Sequence, residues 1–108
     1  MRGILLVMSD CVPGADADYH DWYDRVHLPD VLSVPGFTAA RRYAAVPSMH
    51  GELPTQRYLA VYDIEADDLG LAQKALSAAA ATMELSPAFD RASMAISTYE
   101  LISEATPQ

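Results

Sequence analysis

The alternation of apolar runs with turn residues predicts an α+β fold of order β-α-β-β-α-β, with one four-stranded antiparallel sheet and two helices on one of its faces. Three observations carry this. A branched apolar run opens the chain at residues 3–8. Two stretches of helical character, one aromatic and one alanine-rich, are each followed by strand-like alternation. Clusters of turn residues at 9–14, 35–36, 47–55 and 86–87 separate these segments.

Residues 3–8 read as a strand buried on both faces, ending in a polar turn at 9–14. Asp16 or Asp18 is then placed to cap a helix, because either carboxylate can accept from the free amides of its first turn. In that helix Tyr19, Trp22, Tyr23 and Val26 recur at helical spacing and form a core stripe. Pro29 lacks a donor and disfavours helical geometry at Leu28, so a kink or break is expected at 27–29, with a short turn at 30–33. A second strand is expected at 37–46, with Phe37, Ala39, Arg41 and Tyr43 on one face. A loop follows at 47–55, then a third strand at 56–65 with Tyr58, Ala60 and Tyr62 on one face and Leu59 and Val61 on the other. Asp67 and Asp68 cap an alanine-rich helix running to about residue 83. Residues 88–91 read as a further turn and 92–102 as the last strand. The domain is therefore expected to span 1–103, with 104–108 a loose tail.

With both helices on one side, the other sheet face carries alternate apolar side chains and has no cover within the chain. Burying such area is worth about 25 cal/mol per Å². The expected cover is a second copy, sheet against sheet, making a homodimer.

Composition removes several classes of function. The net charge is -8 over 108 residues, with seven basic residues and no basic run. Binding a polyanion needs clustered Lys or Arg, so neither nucleic acid nor an anionic membrane surface is expected as a partner. Cys11 is the only cysteine, which precludes an intrachain disulfide and suits a reducing compartment. The apolar run after Arg2 is too short for a signal peptide or a membrane span and is followed by no small-residue cleavage site. These points give an expectation of a soluble, cytoplasmic protein.

The segment Tyr19-His20-Asp21-Trp22-Tyr23-Asp24-Arg25-Val26-His27-Leu28-Pro29-Asp30, followed by Val34-Pro35-Gly36-Phe37 and Arg42-Tyr43, resembles the signature of the EthD-like branch of the dimeric α/β-barrel superfamily. The motif covers residues 19–43, and the element order extends the resemblance over essentially the whole chain. It implies a ferredoxin-like subunit that pairs into a dimeric α/β barrel, with a ligand cleft between helices and sheet. The wider superfamily includes isomerases, cyclases, cofactor-free monooxygenases, aldoxime dehydratases and haem-degrading enzymes, many acting on aromatic or polyketide-like molecules. His27 stands eight residues before Pro35, the spacing found in muconolactone-type isomerases. Those enzymes carry a tyrosine shortly after the turn, where this chain has Ala40, with Tyr43 three residues further on. Their acid/base pair is therefore not carried over.

His27 is the leading candidate for chemistry, because an imidazole bordering an apolar stripe can exchange a proton near neutral pH. Tyr23, four residues earlier, and Asp24, three earlier, complete the catalytic set, with Asp24 orienting the ring. His20 reads as a surface residue. Tyr43, Tyr58 and Tyr62 are candidate hydroxyl donors in an apolar pocket, though each also reads as a core aromatic with its hydroxyl at the rim. Trp22 reads as core and as a wall of the same pocket. Arg41 and Arg42 lie on opposite strand faces, so one of them can face a cleft; Arg41 is taken as the substrate-binding one. Met8, with Met94, supplies a soft wall. Three scattered histidines and one distant cysteine match no metal-ligand spacing, and no phosphate loop or dinucleotide fingerprint is present. The expectation is a metal-free, cofactor-free enzyme of the isomerase, lyase, dehydratase or cyclase kind acting on a small, largely apolar molecule. The alternatives are a cofactor-free or haem-linked monooxygenase of the same fold, and a non-catalytic dimeric ligand-binding protein.

Overall fold

The computed structural model describes all residues 1–108. It has β1 (Arg2–Cys11), α1 (Asp16–Trp22), a π-helical turn (Tyr23–His27), α2 (Leu28–Leu32), β2 (Phe37–Ala44), β3 (Tyr58–Glu65), α3 (Leu69–Ala80) and β4 (Phe89–Glu100). The strands form one sheet in the order β2-β3-β1-β4, every pair antiparallel. This is the ferredoxin-like arrangement, with the two long strands β1 and β4 side by side and the helices on one face.

Strict alternation in β1 decides the two faces. Gly3, Leu5, Val7, Ser9 and Cys11 are buried toward the helices, while Ile4, Leu6, Met8 and Asp10 are half-covered on the open face. In β3, Ala60, Tyr62 and Ile64 join the helix side, and Leu59, Val61 and Asp63 join the other. β2 departs from the sequence expectation. A bulge between Phe37 and Ala39 puts Phe37 on the helix side and shifts Ala39, Arg41 and Tyr43 to the open face. Arg42 is thereby turned under the helices.

The first helix departs as well. It neither breaks at Pro29 nor ends in a turn at 30–33: α1, the π turn and α2 run on as one right-handed helix to Leu32. The Leu28 amide bonds the Tyr23 carbonyl, five residues back. In a regular α-helix the Pro29 ring would collide with the carbonyl four residues earlier, and the wider turn relieves that clash. Neither Asp16 nor Asp18 caps this helix; Ala15 holds the cap position, and both aspartates sit in the first turn. Asp68 does cap α3, accepting from Gly70 N at 2.7 Å and Leu71 N at 3.2 Å. The expected turn at 88–91 is instead the start of β4, which begins at Phe89.

Two glycines are required by geometry. Gly36 turns the chain from α2 into β2 at φ +99°, a conformation that costs other residues dearly. A Cβ at Gly3 would lie 2.6 Å from the Tyr99 carbonyl and 2.8 Å from Leu69 Cδ1, so the bare backbone there lets α3 seat on β1.

The core is aromatic. Tyr19, Tyr23, Trp22 and Phe89 pack between the first helix and the sheet, with Tyr19 and Tyr23 edge-to-face at 5.3 Å. Val31, Val34, Phe37 and Ile64 continue the core toward the other end of the sheet. No helix is long and apolar enough to cross a membrane.

Candidate functional site

β4 is the least covered strand on the helix side. Met94 and Ile96 face the helices and are still about half exposed, at 45% and 53%. Between β4, α3 and the π turn lies an apolar cavity of about 420 Å³. That is within the size range of small-molecule sites. Its inner wall includes Leu5, Val7 and Val31; Met83, Leu85 and Ile96 stand nearer its mouth.

The π turn decides what looks into this cavity. In an α-helix residues five apart are rotated about 140° from each other, whereas an i→i+5 turn brings them onto one face. Trp22 and His27 are five apart, and their rings stack at 4.7 Å with an interplanar angle of 23°. The Trp22 indole also donates to the Glu84 carbonyl at 3.0 Å, tying the segment after α3 across the cavity end. His27 lies edge-to-face on Tyr23 at 5.2 Å.

Three buried side-chain atoms have no hydrogen-bond partner: Tyr23 Oη, Tyr62 Oη and His27 Nδ1. All three residues line this one cavity. Burial lowers the His27 pKa, an effect that Asp30 only partly opposes, so the ring is neutral at physiological pH. Burial pushes the Tyr23 phenol up to about 12, with the neighbouring Tyr19 adding to it. Tyr62 is pushed up further, mainly by burial and then by Tyr23. The two phenols affect each other's ionisation although neither satisfies the other in hydrogen-bond geometry. The site therefore offers one neutral imidazole and two protonated hydroxyls in apolar surroundings.

Of the residues singled out in the sequence, His27, Tyr23, Trp22 and Tyr62 meet here. Asp24 does not reach the imidazole; its carboxylate bonds Arg42 Nη1 at 3.0 Å on the opposite flank of the helix. His20 is drawn to the same flank, with Nδ1 3.0 Å from Arg42 Nη2 and its ring edge-on to Tyr58 at 4.9 Å, so it is half-buried and not a surface residue. The extra residue in the π turn separates His20 and His27, which plain helical spacing would align. Arg41 and Tyr43 are on the open sheet face, Arg41 in a two-bonded pair with Asp63 at 2.8 and 3.1 Å. Met8 is on that face too. Tyr58 is on the helix side but outside the cavity, donating to Asp16 at 3.0 Å. Met94 does line the cavity.

Sequence reasoning missed Phe89, Met83, Leu85 and Arg91, which also line it. It also missed Arg42, whose guanidinium lies 4.4 Å from the Tyr23 ring centroid and fixes that ring from behind. Alternation in β4, with Met94, Ile96 and Thr98 in step, was the available signal for the outer wall. No group of three or more His, Cys, Asp or Glu side chains is arranged to hold a metal ion.

Neither a family profile nor a curated protein sequence matches the chain. Solved structures do. An EthD family protein from Bacillus halodurans C-125 superposes with a TM-score of 0.63 at 16% identity, over 94% of this chain and all of the other. An EthD-like protein from Ralstonia eutropha JMP134 gives 0.56 at 17% identity, covering 97% of this chain and 96% of that one. The haem degrader MhuD from Mycobacterium tuberculosis, with two haems bound in its active site, gives 0.58 at 20%, covering 96% and 99%. The chain thus has the ferredoxin-like fold shared by EthD-like proteins and a haem degrader, in line with the EthD-like motif at residues 19–43.

Proposed function

We propose that the protein is an enzyme that moves a proton on a small, largely apolar molecule carrying a carbonyl or hydroxyl oxygen. The observation that supports this most directly is that three residues lining one apolar cavity each carry a buried polar atom without a hydrogen-bond partner. A buried polar group without a partner costs about 1–3 kcal/mol. Such a cost persists where a ligand supplies the missing bonds.

In this reading the neutral His27 imidazole takes a proton from a carbon beside a carbonyl. The electron pair moves onto the carbonyl oxygen, and the Tyr23 and Tyr62 hydroxyls donate to the resulting oxyanion. The imidazolium then returns the proton to another carbon or to a departing hydroxyl, so an isomerisation or a dehydration results. Arg42, held by Asp24 and His20, keeps the Tyr23 ring in place.

The test is carbon-bound hydrogen exchange. A panel of bicyclic ketones and unsaturated lactones in D₂O is followed by NMR with wild type and His27→Gln. Exchange above the buffer rate in wild type, lost in the variant at unchanged thermal stability, supports the proposal. Exchange equal in the two proteins removes His27 as the base. No exchange on any member leaves the binding-protein alternative as the better account.

The haem-linked alternative has one point in its favour, the fold shared with a haem degrader. The residues here do not fit it. Haem carries two propionates that need cations, and Arg91 is the one Arg or Lys in the lining. Titration with haem and absence of a Soret shift is the expected result.

The homodimer belongs to the same proposal. Ile4, Leu6, Met8, Leu59 and Val61 are side by side on the open face, with Tyr43 and Tyr99 exposed at its flanks. A structurally similar protein from Jannaschia sp. CCS1, with a TM-score of 0.56 at 13% identity, is described as a dimeric ferredoxin-like protein. Sedimentation velocity at micromolar concentration, expected to give twice the 11.7 kDa chain mass, checks it. A cytoplasmic setting, in keeping with the one buried free thiol at Cys11, completes the picture.

A further inference from the structure

The ion pairs leave one arginine over. Arg2, Arg25, Arg41, Arg42 and Arg57 each meet a carboxylate within 4 Å. Arg91 makes neither an ion pair nor a hydrogen bond, in a chain with 15 acidic residues against seven basic ones. It is also the arginine that lines the apolar cavity. An exposed guanidinium ordinarily finds one of so many carboxylates. One that does not, at the mouth of a pocket whose inner end carries the polar atoms, is placed for a ligand.

We propose that Arg91 binds the carboxylate of the substrate, so that the substrate is an apolar organic acid with a second oxygen function. The carboxylate rests at the mouth between β4 and the segment after α3, the apolar body lies along Met94, Ile96 and Met83, and the other oxygen reaches Tyr23 and Tyr62. The planar fork of Arg matches a carboxylate with two parallel hydrogen bonds, and its alkyl stem extends an apolar wall. Glu84 is the one acidic residue in the lining. Its backbone carbonyl is held by Trp22, and its carboxylate stands outside ion-pair distance of Arg91, so it does not neutralise the guanidinium directly. This inference rests on the cavity being the substrate site, as argued above.

The experiment uses two fluorescent probes of one shape, 6-hydroxy-2-naphthoic acid and its primary amide. Both are titrated into the full chain at low salt, together with Arg91→Gln, Glu84→Gln and Tyr62→Phe. Wild type is expected to prefer the acid by about fivefold, the size of a well-formed but solvent-exposed ion pair. Arg91→Gln should abolish the preference by weakening the acid alone. Glu84→Gln should keep it or raise it, and Tyr62→Phe should weaken both probes alike. Equal binding of acid and amide by wild type, with both weakened by Tyr62→Phe, overturns the role of Arg91 and leaves the site reading intact. A preference that survives in Arg91→Gln does the same. Failure of both probes to bind wild type overturns both.

Discussion

Removing the Tyr62 hydroxyl should make the ligand-free protein more stable, the reverse of what losing a polar group from a core usually does. Tyr62 is 1% exposed, and its oxygen has no hydrogen-bond partner. The desolvation cost of such an oxygen is about 1–3 kcal/mol, and the space left by one atom gives back part of it. A net gain of about 1 kcal/mol is expected for Tyr62→Phe. In a domain of this size that corresponds to a rise of about 4–8 °C in Tm. Tyr23→Phe should behave alike, since that oxygen is equally without a partner and its residue equally buried.

The alkaline limb gives an independent reading of the same atom. Unfolded tyrosine ionises near pH 10, whereas folded Tyr23 holds its proton to about 12. Between those values the folded state binds more protons than the unfolded one, so stability falls as pH rises through that window. Two pK units correspond to about 3 kcal/mol, and the Tyr23→Phe protein should lack that part of the slope. The assay is urea unfolding at fixed protein concentration, at pH 7 and from pH 9 to 12. A loss of 1 kcal/mol or more at pH 7 for both variants would mean that the hydroxyls hold the core together, and the ligand argument would lose its basis.

Three further expectations follow from particular contacts. His27 is neutral when folded and its pKa is lowered by burial, so the unfolded chain takes up a proton near pH 6.5 before the folded one does. Stability should therefore fall as pH drops below 6.5 and level off below the folded pKa, and His27→Gln should flatten that limb in thermal melts at pH 4.5–7. Val61→Glu puts a charge amid the open face beside Leu6 and Arg41, and should give a monomer by sedimentation while the circular dichroism of the fold is kept. Trp22→Phe removes the 3.0 Å bond to the Glu84 carbonyl and part of the surface on which His27 stacks. A loss of about 2 kcal/mol in chemical denaturation is expected, within the usual span for core substitutions.

How much of this was legible in the sequence depends on whether a residue obeyed its local period. β1 and β3 alternate without interruption, so the sides taken by Leu5, Val7, Ala60 and Tyr62 followed from counting by twos. β2 has the same alternation on paper, but one bulged residue at its start inverts the sense of everything after Phe37. Arg41 and Tyr43 went to the open face for that reason, and Arg42 came under the helix. No side-chain pattern marks such a bulge, because both registers put a mixture of alanine and arginine on each side. The outer wall of the cavity is formed by residues after α3 and by the exposed helix-side positions of β4, whose distance from residues 19–31 is set only by tertiary packing.

The helix around Pro29 shows how one rule produced a misreading and a site at once. Proline in a helix interior signals a break when the ladder is assumed to be i→i+4 throughout. The chain instead widens one turn immediately before the proline, so the helix survives. The widening has a second effect that the proline rule does not contain. It rotates everything beyond Tyr23, bringing His27 off the flank of His20 and over the face of Trp22. Asp24, inside the turn, faces Arg42, so the carboxylate expected to orient the imidazole holds the arginine behind Tyr23. The acid and the base read as neighbours are thus separated by the helix itself. The imidazole is left with no charged partner within hydrogen-bond reach, in an apolar cavity with two phenols. A neutral imidazole sharing one cavity with two protonated phenols is the arrangement on which the proposed proton transfer rests, and the turn that accommodates Pro29 is what brings the imidazole there.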